Sequence, residues 1–488
     1  MKFVKKDYVG YIKENTENLA NKGLRTLVLT QKLISQKDFD SWFEEYSQAL
    51  TSMQNRKEKI RNIISKLENN MEFLCVTGVE DLLQDDVATT IDNLRNAGIK
   101  LWMLTGDKVE TATCISISAG LKAKNHKIFT LTYEQIKDEE NQEKEIIEFK
   151  KKLQLYDSKI KTEPHLLIID GDILDLALKK CEKEFYQSAM KAPSVVCCRC
   201  SPTQKRLIVK NIKKYTKCRT AAVGDGGNDV AMIQEADVGI GIVGKEGLQA
   251  SLASDYSIIK FKNLSILILW WGRIAYKNTC TVANFIVHRG LIIAFCQFFF
   301  SLMFYFNPVP LYNGFLTFGF STIFTNLPII SILLDKDVDK KNVLNFPNLY
   351  KRLLQGREVN FKNFLWWLFK AIFQASVIMF GSLIMFPDKL FLKIVTVSFT
   401  ALVYLEILNI YTEINKLHWF MIFSLLGTCA VYTLTLMFLT NYLDIYFVIK
   451  KDIFWKIIVI SVVAWIPFFI ANKIKKYCFP QEYDKVND

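Results

Sequence analysis

Residues 224–232 read Gly-Asp-Gly-Gly-Asn-Asp-Val-Ala-Met and set two carboxylates, Asp225 and Asp229, in a glycine-bordered turn. Hard carboxylate oxygens suit Mg2+, glycines let the backbone approach a ligand, and a following helix N-terminus favours anions. Asn228 adds a neutral hydrogen bond. The turn lies between Arg219–Val223, a short apolar run of strand type, and a helical pattern from Asp229 to Glu235. Taken alone, such a loop could equally be a flexible turn. A second loop of the same architecture changes that balance. Ile99–Leu104 is a strand that ends in Thr105-Gly106-Asp107-Lys108 before the helical Val109–Ala119. There Thr105 and the Gly106 amide would hold a phosphoryl oxygen. A third strand, Val195–Cys198, leads through Arg199 to Ser201-Pro202-Thr203-Gln204-Lys205, a helix start with proline in its first turn. Lys205 is the candidate phosphate cation; its plain alternative is an exposed helix lysine.

These loops need a scaffold that brings strand ends together. In an open parallel sheet, ligands bind beyond the carboxyl ends of the strands, so such loops can converge on one phosphate-bearing site. Leu166–Asp170, followed by Gly171-Asp172, supplies a further strand end, and Thr77-Gly78-Val79-Glu80-Asp81 follows a strand over Phe73–Val76. The expected fold here is α/β with a Rossmann-type parallel sheet. Lys122–His165, with the acidic run Asp138–Glu145, interrupts the sheet and reads as a solvated helix or mobile insertion. Met1–Asn70 is polar and helical in pattern, apart from a strand over Leu24–Leu29.

The chain has 488 residues, 50% of them hydrophobic, with 36 Phe, and that composition exceeds an ordinary soluble enzyme. The excess is C-terminal. Six apolar stretches, Ala283–Phe306, Leu311–Leu334, Phe364–Phe386, Leu390–Ile410, Trp419–Leu439 and Ile453–Ile470, are each long enough to cross roughly 30 Å of hydrocarbon. A buried helical bundle is disfavoured because the connections are short and the runs nearly uncharged. The loop between the second and third stretches carries Lys336, Lys340, Lys341, Lys351, Arg352, Arg357 and Lys362, which places it in the cytosol by the positive-inside rule. Six crossings put the sheet and the C-terminal Lys473, Lys475 and Lys476 on that side too. Lys450 and Lys451 weaken the bias without reversing it.

The net charge of +13 does not lead to nucleic acid, because the lysines are dispersed over helices and membrane-proximal loops, where anionic lipid is the simpler counterpart. The 11 cysteines lack metal-ligand spacing; Cys197, Cys198 and Cys200 sit on a strand with no matching second pair, and the thiols are expected to be reduced. No cleavable signal follows Met1–Tyr8. Ion carriers mark their pathways with intramembrane carboxylates, yet the first two stretches contain no Asp or Glu; Asn284, Asn313 and Asn326, with Asn307 between the stretches, are amides. Asn326 beside Pro328 could open a broken turn that meets a polar lipid headgroup, or be a packing kink. Glu406, in the fourth stretch, is expected near the cytosolic end, where interfacial water or a partner satisfies it.

Thr105-Gly106-Asp107, Cys198-Arg199-Cys200-Ser201-Pro202-Thr203-Gln204-Lys205 and Gly224-Asp225-Gly226-Gly227-Asn228-Asp229-Val230 resemble, in order, the phosphorylation-domain motifs of P-type ATPases. The six apolar stretches resemble the last six membrane helices of the phospholipid-transporting P4 branch, the lipid flippases. Gly23-Leu24-Arg25-Thr26-Leu27 resembles the end of that family's nucleotide domain, and His288-Arg289-Gly290-Leu291-Ile292-Ile293 is most similar to the subgroup that works without an accessory β-subunit. The resemblance implies a HAD-like phosphorylation domain over 71–262, a nucleotide-domain remnant over 1–70, a membrane domain over 263–475 and a cytosolic tail over 476–488. It implies ATP and Mg2+ as cofactors, with Arg25 contacting ATP, Asp225 and Asp229 serving Mg2+, and Thr105, Gly106, Asp107, Arg199, Lys205, Asn228 and Asp229 holding the nucleotide or phosphoryl group. A phospholipid substrate, transport towards the cytosolic leaflet, and an endosomal, trans-Golgi or plasma membrane location follow from the same likeness.

The family's nucleophile lies in Asp-Lys-Thr-Gly-Thr, a run that does not occur in this sequence, and Asp335-Lys336-Asp337 at a membrane edge cannot substitute. The actuator Thr-Gly-Glu loop is likewise absent. The expectation is therefore the C-terminal part of a pump, inactive alone, whose sheet has an unpaired position where the nucleophile's strand belongs. The alternatives are a membrane-tethered phosphatase, which needs its own nucleophile, and a non-catalytic subunit that assembles with a separate N-terminal half.

Overall fold

The computed structural model describes every residue except 1–3, 54, 81, 134–141, 162, 245–247, 307, 355, 357–358, 387–389, 441 and 479–488, together with the side chains of 6, 142, 143, 352 and 476. Asp81, the acidic run from Asp138 to Asn141, Asn307 and Arg357 thus lie outside the described residues. The chain forms two compact units, 1–95 with 99–264, and 96–98 with 265–488.

The first unit is α/β. Its strands are β1 (Arg25–Gln31), β2 (Glu72–Val79), β3 (Leu101–Leu104), β4 (Lys127–Leu131), β5 (His165–Ile169), β6 (Ser194–Cys197), β7 (Ala221–Gly224), β8 (Val238–Ile242) and β9 (Tyr256–Ile258). Four of them make a parallel sheet in the order β3-β6-β5-β4, and three more make a second parallel sheet, β7-β8-β9. All five residues of β5 are buried, as expected of a strand covered on both faces. Alternation along the strands splits the core. Leu167, Ile169, Val195 and Cys197 pack with Ile173, Phe185 and Tyr186, whereas Leu166, Ile168, Val196 and Cys198 pack with Ile91, Ala112 and Leu121. β3 and β7 are each an edge of their sheet. Leu104 of β3 nevertheless packs onto Val209, Ala222, Met232 and Ile233, the core beneath β7.

Two expectations are corrected here. Phe73–Val76 does not join the parallel sheet: β2 pairs antiparallel with β1, Arg25 opposite Val79, and Thr77, Gly78 and Val79 are strand residues rather than a strand-end loop. The described part of Lys122–His165 is no solvated or mobile insertion either. Lys127–Leu131 is β4, paired with β5, and the helix Gln142–Ile160 buries Phe149, Leu153 and Tyr156, at spacings of four and three residues, in the sheet's core. The charge density of that segment masked a narrow apolar stripe.

Among the described residues, six helices are long and apolar enough to span a membrane: Asn263–Met303, Gly314–Leu333, Phe361–Met385, Phe391–Glu413, Trp419–Phe438 and Lys451–Lys475. The first begins 20 residues before the expected Ala283, and Arg273 and Lys277 in its early turns both pair with Asp337, at 2.8 and 2.7 Å. The second is broken: a π-helical turn, Phe320–Phe324, separates Gly314–Gly319 from Asn326–Leu333. Arg289 of the first span donates to the Ser321 carbonyl at 3.0 Å and to Thr325 Oγ1 at 2.7 Å, so a guanidinium meets a backbone group at the irregular turn. Asp335 is buried and accepts from the Asn415 and Lys416 amides, each at 3.0 Å, and from Asn415 Nδ2 at 2.8 Å, a structural role that ties the fourth–fifth connection to the second.

Candidate functional site

At the carboxyl end of β3 the ladder continues one residue further, since Thr105 N–H donates to the Cys197 carbonyl at 3.0 Å. Thr105 Oγ1 then donates to Asp107 Oδ2 at 2.7 Å and accepts from the Asp107 amide at 3.1 Å, closing Thr-Gly-Asp into a tight loop. Gly106 is exposed at its tip. The loop after β6 is stitched to it: Arg199 N–H donates to the Asp107 carbonyl and Cys200 N–H to the Thr105 carbonyl, each at 2.9 Å.

This second loop turns sharply, with Arg199 at φ +50, a conformation that costs a non-glycine residue about 1–2 kcal/mol. The neighbouring β5 loop leaves no room beside it. A Cβ at Gly171 would stand 2.8 Å from the Arg199 carbonyl oxygen, so only glycine fits there. The Arg199 guanidinium lies 3.8 Å from the Asp170 carboxylate. Ser201 and Gln204 then form a reciprocal capping box with Pro202 in the first turn, which starts the helix Pro202–Thr216. One turn in, Lys205 Nζ donates to Asp229 Oδ1 at 2.8 Å, with side chains only 11% and 14% exposed.

The third loop follows β7. Asp229 N–H donates to the Gly226 carbonyl at 3.1 Å within a 3-10 turn, Gly227–Asp229, that leads into the short helix Val230–Glu235. A Cβ at Gly224 would fall 2.4 Å from Asp229 Cβ, so the glycine lets the carboxylate fold back over the strand end. Asp225 and Asn228 are exposed and Asp229 is half-buried. Arg25, at the start of β1, approaches the first loop, with Nε 3.7 Å from Asp107 Oδ1.

Contacts thus join Arg25 to the Thr105–Asp107 loop, that loop to Arg199, and, through the capped helix, Lys205 to Asp229. Asp225, Gly106 and Asn228 stand on the same loops with accessible surfaces. The donor set fits Mg2+, which takes one or two carboxylates and completes its octahedron with water and phosphate oxygens. Among the described residues no three of His, Cys, Asp or Glu form a closed metal site. Cys197, the last residue of β6, and Cys198 beside it are fully buried. Burial pushes the Cys198 thiol up to about 12, and Cys197 is likewise raised, first by its hydrogen bond with Cys200 and then by burial. The sequence reading missed β4, β8 and β9, and it missed the polar centre that the spans enclose around His288 and Glu406. Glu406 is fully buried with its Oε1 3.4 Å from His288 Nδ1, so of the two expected surroundings it meets a neighbouring side chain and not interfacial water.

Residues 251–481 match the family model described as phospholipid-translocating P-type ATPase, C-terminal. The chain is 43% identical over 480 residues to the probable phospholipid-transporting ATPase IIB of Danio rerio, covering 98% of this chain and 42% of that protein. It is 39% identical to the probable phospholipid-transporting ATPase tat-5 of Caenorhabditis elegans, over 98% of this chain and 44% of that one. To the phospholipid-transporting ATPase neo1 of Schizosaccharomyces pombe it is 38% identical, over 99% and 46% respectively. The chain therefore spans less than half the length of these relatives.

Proposed function

Since the chain belongs to the phospholipid-translocating P-type ATPases and matches their C-terminal part, we propose that it supplies the Mg2+ and phosphate side of a phosphoryl-transfer site, together with six spans, to a lipid-translocating pump. The observation that carries this reading is the convergence of the three strand-end loops through the Lys205–Asp229 ion pair and the Arg199–Asp107 and Cys200–Thr105 backbone bonds. Asp225 and Asp229 hold Mg2+, which offsets phosphoryl charge when bound. Thr105, the Gly106 amide and Asn228 donate to phosphoryl oxygens. Lys205 turns from Asp229 towards the phosphoryl group, and Arg25 and Arg199 face the nucleotide side with Asp107. β3 and β7, both edges, leave a parallel position between loops that bear Thr105 and Asp225, which suits a strand carrying the phosphorylated aspartate.

Two phosphorylation states would favour different helix arrangements, moving a phospholipid headgroup towards the cytosolic leaflet. The broken second span suits that movement, because Asn326 is exposed on it just beyond the π-helical turn. The chain is a multi-pass membrane protein. An endosomal, trans-Golgi or plasma membrane setting, and function without an accessory subunit, complete the proposal.

The test uses Mn2+, a paramagnetic substitute for Mg2+, titrated into the purified chain in nanodiscs and followed by electron paramagnetic resonance. One site, weakened at least tenfold by Asp225→Asn, is expected. Equal binding by wild type and variant overturns the metal assignment. In cells, the same substitution should abolish uptake of fluorescent phospholipid that depends on this gene's product.

A further inference from the structure

The spans enclose a polar centre that the phosphoryl chemistry does not use. His288 of the first span, Gln374 of the third, and Glu406 and Asn409 of the fourth are all fully buried. Gln374 fixes the hydrogen inventory of the group. Its Nε2 donates to Asn409 Oδ1 at 3.0 Å and to the Ala464 carbonyl of the sixth span at 3.4 Å. A backbone carbonyl only accepts, so the amide nitrogen faces the sixth span and Oε1 faces His288. That oxygen receives Asn409 Nδ2 at 3.1 Å and lies 3.0 Å from His288 Nε2. His288 Nε2 therefore carries a hydrogen.

In a neutral imidazole the other nitrogen is then a bare acceptor. His288 Nδ1 faces Glu406 Oε1 at 3.4 Å, and among the described residues Nδ1, Oε1 and Oε2 have no hydrogen-bond partner. An ionised carboxylate against a bare nitrogen would set lone pairs face to face in a dry interior, where unpaired polar atoms are most costly. One added proton resolves the conflict. Bound on Nδ1 it gives an imidazolium–carboxylate pair, and bound on Glu406 it gives a carboxylic acid donating to imidazole; both forms have zero net charge.

We propose that His288 and Glu406 form a proton-binding site within the membrane spans, holding one proton between them. The neighbouring cations Arg289 and Lys370 act on Glu406 only at a distance, and their direct contacts are with other groups. Arg289 donates to Ser321 and Thr325 of the second span, and Lys370 of the third lies 3.8 Å from Glu413 of the fourth. Cys296, on the first span, is the further titratable group in reach of Glu406. The Trp367 ring closes the site edge-on to His288, with centroids 5.5 Å apart. Because the site links the first, third, fourth and sixth helices through Gln374, loading or release of the proton requires those helices to part.

The test is solid-state nitrogen NMR of the full chain, labelled in histidine and held in nanodiscs at pH 8, with His288→Asn to assign the ring. Infrared spectra of the same sample report a protonated buried carboxyl. Two protonated ring nitrogens on His288 are expected, or else a carboxylic acid band that disappears in Glu406→Gln. If that variant does not fold, a shift of the band on glutamate carbon-13 labelling of the wild type replaces it. A His288 ring with one bare nitrogen and no carboxylic acid band at pH 8 overturns the proposal; Glu406 would then be an ordinary carboxylate balanced at a distance by Arg289.

Discussion

Lys205 and Asp229 show how one pair can be both structural and functional. With side chains 11% and 14% exposed, their contact is partly desolvated, and removing the cation leaves a carboxylate half-buried. Lys205→Met should therefore lower the stability of the first unit by about 1–3 kcal/mol, read as a shift in its denaturation midpoint. An unchanged midpoint would mean that Asp229 is freely hydrated. Asp237 gives a pH signature at the same scale. Burial pushes its carboxyl up, but the Thr220 amide at 2.9 Å and Lys213 at 3.2 Å outweigh that and hold it below the usual carboxylate range. A depressed folded value contributes stability that is complete above the unfolded value, about 3.9, and is lost as pH falls through the folded one. Below roughly pH 4 the wild type should lose stability more steeply than Asp237→Asn, measured by denaturation at a series of pH values.

Among the elements, the helix Gln142–Ile160 departs furthest from what its composition advertises. Most of its residues are charged or polar, yet Phe149 and Tyr156 are fully buried and Leu153 nearly so. Phe149→Ala should cost about 3–5 kcal/mol, the range for deleting a large core aromatic. A cost under about 1 kcal/mol, as for exposed substitutions, would restore the solvated-insertion reading. The capped helix Pro202–Thr216 is the opposite case, since Ser201, Pro202 and Gln204 announce its start in the sequence and the structure uses all three. β8 and β9 were not legible: Val-Gly-Ile-Gly-Ile halves its side chains with glycine, and three residues of β9 carry too little pattern.

For the whole molecule, the arrangement of spans predicts which segments share a side of the membrane. In sealed vesicles, Cys218 and a cysteine introduced as Asp339→Cys should react with an impermeant maleimide from one face, and Asn313→Cys from the other. Labelling of all three from one face would refute the six-pass arrangement. The sequence by itself determined the chemistry-bearing loops, since strand–glycine–carboxylate and Ser-Pro capping signals are local and survive without knowledge of partners. It also determined the number of spans, because hydrocarbon thickness imposes a length that composition alone reveals. Only the tertiary structure decided which strand pairs with which: the register of β1 with β2, across all the chain between Gln31 and Glu72, leaves no local trace. Only it, too, could show that Arg289 serves a broken turn 32 residues away and that His288 meets Glu406. Contacts between polar side chains on different helices depend on helix rotation and packing, quantities that no single segment encodes.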